Sequence, residues 1–189
     1  MQLERPPTRR RLDVEVYYRM AEAGIFGAED RVELIDGEII DMSPVSSAHA
    51  AVTDLLNRLF AAASAAGAIH VGVQRPVRLG AFDEPQPDLG LLRPRADGYR
   101  TAHPGPRDVL LLIEVAASSL RFDRTTKLPL YARHAIPEIW IVDLAGEAIE
   151  VHREPQDGAY GRCERYEQGM LQPALVPGVA IDVAALFAA

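Results

Sequence analysis

Apolar and polar residues recur along this chain with periods that mark out its elements. Residues 1–11 are rich in proline and arginine and read as a flexible N-terminal arm. Asp13 is placed to cap a short helix through about Ala23, with Val14, Tyr17 and Met20 or Ala21 inward and Gly24 as its stop. Arg31–Ile35 and Glu38–Met42 flank Asp36-Gly37, a two-residue hairpin signal. From Ser47 to Ala66, Val52, Leu55, Leu56, Leu59, Phe60 and Ala63 fall on one helical stripe, with Ser46 or Ser47 as cap and Gly67 as stop.

The middle of the chain changes period. Val71–Leu79 alternates but is interrupted by Pro76, which suggests an edge or a bulge. Leu89–Leu92 is short and apolar, and 94–107 is a polar loop. Val109–Val115 is almost continuously apolar, as in a strand buried on both faces. A helix is expected from about Arg124 to His134, where Pro129 is awkward unless Thr126 is the cap and Pro129 falls in the first turn. Glu138–Asp143 and Ala148–Arg153 form a hairpin around Gly146, followed by a strand near Tyr160–Glu167 and a terminal helix at Val183–Phe187. The expected class is α/β (α+β): a mixed β-sheet flanked by helices, with an N-terminal helix-hairpin-helix segment, as one domain over 12–189.

Composition narrows the class. The chain has 189 residues, 48% hydrophobic and 25% charged, enough to build a core without disulfides or metal. Its single cysteine, Cys163, excludes an intrachain disulfide framework and a cysteine-based zinc site. No apolar run reaches membrane-spanning length and Arg9, Arg10 and Arg11 do not open a signal peptide, so a cytoplasmic protein without membrane contact is expected. A net charge of −7 argues against general nucleic-acid affinity, although carboxylates that hold a metal would add to it. Local basic stretches are Arg93, Arg95, Arg100 and Arg107, and Arg121, Arg124 and Lys127. Of 20 basic residues Lys127 is the only lysine, and a compact ammonium is a different tool from a guanidinium.

Two acidic residues then draw attention. Asp88 opens Leu89–Leu92 and shares a face with Gly90 and Leu92; Glu114 ends the buried strand and shares a face with Leu110 and Leu112. A carboxylate at the end of a buried strand is costly unless paired or bound to a cation. Side by side, the two strands would bring Asp88 and Glu114 together, where oxygen ligands suit magnesium or manganese. Lys127 follows on the next helix at the same end of the sheet, where its ammonium could hold an attacking water and a phosphate. Tyr131, one turn on, either supports that site or packs. Glu33 faces either the metal or solvent. His49, in the first turn of its helix, either helps hold a phosphate or is a core histidine.

The ordered set of marks resembles one family. Glu33-Leu-Ile-Asp-Gly-Glu-Ile39, Met42-Ser-Pro44 followed by His49, Pro87-Asp88, and Glu114-Val115 followed by Asp123, Lys127, Tyr131 and Pro137-Glu-Ile-Trp-Ile-Val-Asp143 are similar to the Uma-two family of restriction-endonuclease-like proteins, over about Asp13 to Phe187. The resemblance implies the PD-(D/E)XK nuclease fold, Asp88, Glu114 and Lys127 as the catalytic set, and a magnesium or manganese ion held by Asp88, Glu114 and the Val115 carbonyl. Two residues after Glu114, where the simple motif has lysine, stands Ala116; Lys127 on the following helix takes its place. Ala117-Ser-Ser-Leu120 departs from the family's usual Ser-Pro-Ser-Thr, and Ala135 stands where glycine is common.

The implied activity is hydrolysis of DNA phosphodiester bonds by a metal-activated water, with a homodimer suited to cutting both strands. Two rivals stay open: a catalytically silent binding module on the same fold, and a metal-dependent phosphoesterase for a smaller substrate.

Overall fold

The structure, a computed structural model, describes residues 8–188. Most of the expected arm, 1–7, lies outside the described residues. The end of that arm is anchored: Leu12 N donates to Gly37 O (2.9 Å), and the Arg11 guanidinium stacks over Phe82. Helix α1 (Val14–Glu22) starts where Asp13 accepts from Val16 N, and only Val14 of its inward residues is fully buried. Strands β1 (Val32–Ile35) and β2 (Glu38–Asp41) form the hairpin, with Asp36 and Gly37 at φ 51° and 75°, the conformation a tight two-residue turn requires.

Helix α2 (Ser47–Ala65) is capped by Ser46, whose Oγ accepts from His49 N (3.2 Å). Its buried stripe is Thr53, Leu56 and Phe60; Leu59, expected inward, is 38% exposed. Strand β3 (His70–Val73) is shorter than the alternation at 71–79 suggests. Gln74 adopts φ 47°, and the chain leaves the sheet before Pro76, which could donate no ladder hydrogen bond. Strands β4 (Leu89–Leu92) and β5 (Val109–Ala116) are buried throughout.

The helical run after β5 also differs from expectation. It begins at Leu120, six residues before Thr126, and consists of α3 (Leu120–Phe122), a wide π turn (Asp123–Lys127) and α4 (Leu128–Arg133). Inside a regular α-helix the Pro129 ring would clash with the carbonyl four residues back and forfeit a hydrogen bond. The wider turn immediately before it eases the clash, while the hydrogen bond that Pro129 cannot donate stays lost. The chain continues through β6 (Glu138–Asp143), β7 (Ala148–Gln156), β8 (Ala159–Tyr166), β9 (Met170–Leu171), β10 (Ile181–Asp182) and α5 (Val183–Phe187).

The main sheet has six strands in the order β3-β4-β5-β6-β7-β8, antiparallel except for β5 and β6, which run parallel and are joined by the α3–α4 run. This is the mixed sheet flanked by helices that the pattern predicts. One face packs on α2 and α5 through Leu56, Phe60, Leu89, Ile113, Trp140 and Leu186. The other packs on α4 and the β1–β2 hairpin through Ile35, Leu112, Leu130, Tyr131 and Ile141. Leu110 lies on the first face and not with Leu112, because the β4–β5 register slips between Leu91 and Leu92 and a bulge breaks the alternation. Among the described residues no helix is long and apolar enough to cross a membrane.

Helix α4 closes with Ile136 N donating to Tyr131 O (3.1 Å) while Ala135 sits at φ 54°. A left-handed closing position favours glycine, and the exposed Ala135 methyl gains no burial in return. Ala135→Gly is therefore expected to stabilise the fold by about 0.5–1 kcal/mol in urea unfolding; a loss of stability would show that the methyl contributes a contact.

Candidate active site

Antiparallel pairing of β4 and β5 sets Leu89 against Ile113, and one step further places Asp88 opposite Glu114. Val115 N donates to Asp88 Oδ2 (2.8 Å), so the two acidic residues are fixed to one another through the backbone. Both are buried, 7% and 3% exposed. The next helix delivers Lys127, 5% exposed, with Nζ 3.2 Å from Glu114 Oε2 and 2.9 Å from Glu33 Oε1. Asp88, Glu114 and Lys127, expected together from the sequence, are together at one end of the sheet.

The accessory residues divide differently. Glu33 faces into the site, because alternation on β1 turns it toward Lys127 and its whole strand is buried. Tyr131 both packs and supports: it is fully buried and its Oη donates to Glu114 Oε1 (2.5 Å). His49 Nε2 lies 3.0 Å from Asp88 Oδ1, and its Nδ1 is buried without a hydrogen-bond partner among the described residues. Gln74 Nε2 also reaches Asp88 Oδ1 (3.3 Å).

Asp123 was not among the residues singled out for a role. It is buried in the π turn, lines the same cavity, and accepts from Ser119 Oγ (2.7 Å). Its spacing of four residues from Lys127 was a legible signal of a shared helical face. Arg124, in the same turn, points elsewhere: it pairs with Glu150, while Arg165 joins Glu150 to Asp143. Arg95 is tied to Asp97, so two of the arginines in the expected basic stretches are committed to internal ion pairs. Asp41, at the end of β2, is exposed and also lines the cavity.

The electrostatics follow from crowding. Glu33, Asp88, Glu114 and Asp123 surround one ammonium. Burial pushes Glu114 well above the usual carboxylate range; Lys127 opposes the shift, while Asp123, Asp88 and Glu33 reinforce it. Burial likewise raises Glu33 and Asp123, again against Lys127. Burial also acts to raise Asp88, but the His49 contact and the Val115 N–H outweigh it and hold Asp88 below its ordinary value. Burial acts to lower the Lys127 ammonium, and Glu114, Glu33 and Asp123 overcome it, keeping the group charged.

Four carboxyl groups thus share one ammonium in a buried place, and Glu33 Oε2 has no hydrogen-bond partner among the described residues. Both observations fit a hard divalent cation. Among the described residues no three acidic, histidine or cysteine side chains are arranged to close on one ion. Magnesium does not require such a cage, since one or two carboxylates with water and substrate phosphate suffice. Asp88 and Glu114, with Val115 also lining the cavity, are the residues that could hold it.

The sheet order and flanking helices are those of a restriction-endonuclease-like fold. The chain belongs to the Uma2 family, described as "Putative restriction endonuclease", which it matches over residues 14–184. In structure it is similar to a crystal structure described as "a putative nuclease belonging to DUF820", from Anabaena variabilis, with a TM-score of 0.71 and 14% identity over 93% of this chain and 97% of that one. At that identity the likeness shows the fold. No curated protein matches the chain.

Glu33→Gln tests the crowding. A carboxyl raised in the folded state contributes stability that is complete below its ordinary value and is lost as pH rises through its folded value. Without divalent ions, the wild-type Tm is expected to fall relative to the variant as pH rises above the ordinary carboxylate range, because burial raises Glu33 against the opposing Lys127 ammonium, and added manganese should narrow the gap. A Tm difference that stays constant with pH would show that Glu33 titrates normally.

Proposed function

We propose that this protein is a magnesium- or manganese-dependent nuclease that hydrolyses phosphodiester bonds in DNA. The observation that carries the reading is the buried ammonium of Lys127, held 3.2 Å from Glu114 and beside Asp88 at the floor of a cavity. Nothing in packing calls for a charge there; an apolar residue of similar volume would remove the cost of burying an ion. Phosphoryl chemistry does call for one, because charge develops on the phosphate oxygens as the bond to the leaving group breaks.

The roles follow from the contacts. Asp88 and Glu114, with the Val115 carbonyl, would hold the cation, which when bound supplies an acidified water and neutralises phosphate charge. Tyr131 fixes one Glu114 oxygen, and the Val115 N–H with His49 fixes the Asp88 carboxylate, so neither ligand has to reorganise. Lys127 uses two of its three protons on Glu33 and Glu114 and retains one for a water or a phosphate oxygen. In the net reaction water adds its oxygen to phosphorus, and its proton ends on the leaving alcohol.

Cleavage of supercoiled plasmid and of single-stranded circular DNA, with magnesium or manganese, tests this reading. Lys127→Ala and Asp88→Asn are each expected to lower the rate by about 10²–10³-fold or more, with circular dichroism confirming the fold of each. Removing Lys127 leaves two buried carboxylates short of a partner, at about 3–5 kcal/mol, so the near-isosteric Asp88→Asn is the cleaner variant. A wild type that binds manganese and leaves every nucleic acid intact would overturn the proposal.

A further inference from the structure

The cavity above the catalytic set restricts what can reach it. Its volume is about 530 Å³, within the range of pockets that enclose one small molecule, and so has room for about one nucleotide. Asp88, Glu114 and Lys127 form its floor and are nearly inaccessible at the surface, at 7%, 3% and 5% exposed. A paired duplex presents its phosphates on a stiff convex rod, which cannot enter such a hollow without local opening. An unpaired strand can be splayed, and a single nucleotide can be inserted.

The walls have two parts that suit such a nucleotide. Met42 and Val45, on the loop between β2 and α2, and Phe122, on the helical run, line the cavity together with Ile40. Val45 is an exposed apolar residue and Phe122 is half-buried, so both remain available to a base. Arg31, immediately before β1, is the other basic residue of the lining besides Lys127. Lys127 is held by two carboxylates, whereas among the described residues no ion pair engages Arg31. Arg78, Arg124, Arg133, Arg153 and Arg165 are committed to ion pairs, so these five guanidiniums are not free to follow a duplex backbone.

We infer that the site accepts an unpaired or extruded nucleotide segment, with Arg31 anchoring its phosphate at the wall and Phe122 with Val45 bearing on its base. The inference rests on the phosphodiester reading above and adds the substrate's form to it. Arg31 and Phe122 thereby become substrate-binding residues, and strand opening a condition for cleavage.

Fluorescence anisotropy with labelled oligonucleotides of one sequence, offered as single strand, as perfect duplex and as duplex with an unpaired bubble, decides it. Binding is read in calcium and cleavage in manganese. The single strand and the bubble are expected to bind about tenfold more tightly than the duplex, with a shallow salt slope of about one to two phosphates. Arg31→Ala and Phe122→Ala should each weaken single-strand binding by about tenfold, and loss of Arg31 should reduce the salt slope by about one. Arg58→Ala, which removes an exposed α2 charge outside the cavity lining, controls for net charge. Equal or tighter binding of the duplex, or no effect of Arg31→Ala beyond that control, would overturn the inference. If duplex is bound and cut as readily as single strand, the inference falls and the nuclease reading stands. If the single strand is preferred and nothing is cut, the inference holds and the nuclease reading falls.

Discussion

The Lys127 ammonium, shared between Glu33 and Glu114, joins three pieces of chain that are far apart in sequence: the N-terminal hairpin, the central strand β5 and the helical run that follows it. Each of the three groups would be expensive to bury alone. Together they form a network in which breaking one contact strands the others, so the hairpin must dock, β5 must be in register and the helix must present Lys127 inward at the same time. Tyr131 adds a hydrogen bond to the same Glu114 and anchors the network in the apolar layer beneath α4.

Two irregularities make that arrangement reachable. The bulge between Leu91 and Leu92 alters the β4–β5 pairing at its far end while leaving Leu89 against Ile113, so Asp88 still faces Glu114. The π turn buries Asp123 and Lys127 on the side of the cavity while Arg124 turns outward to Glu150. Wide turns of this kind are costly in a helix and are commonly found where function needs the side chains they redirect. The residues on either side of the turn follow the same division: Ser119 reaches Asp123, and Tyr131 reaches Glu114.

The acidic character of the chain fits a site of this kind. On the proposed nuclease reading, carboxylates concentrated where a phosphate must bind would repel it until a cation intervenes. Arginines tied into ion pairs with Glu150, Asp36 and Glu138 contribute to shape, and the net charge of −7 works against sequence-independent attraction for nucleic acid. On the proposed reading, recognition would fall to the cavity itself, with its apolar wall and Arg31 in its lining.

Local signals were sufficient for much of this. The Asp36-Gly37 turn, the Ser46 cap and the apolar run of β5 are decided by neighbouring residues, and period and composition are enough to read them. Lys127 stood out because it is the chain's only lysine, and Asp88 and Glu114 because carboxylates at the ends of apolar strands need a partner. Only the folded chain decided the rest. That Glu33 faces the site and not solvent depends on which side of the sheet the hairpin docks. That Tyr131 supports Glu114 depends on the closeness of α4 to β5. The part played by Asp123 depends on a π turn that Pro129 helps impose but does not announce. In each case the deciding partner lies beyond the reach of local periodicity, since it is set by how separate elements pack and not by the residues within any one of them.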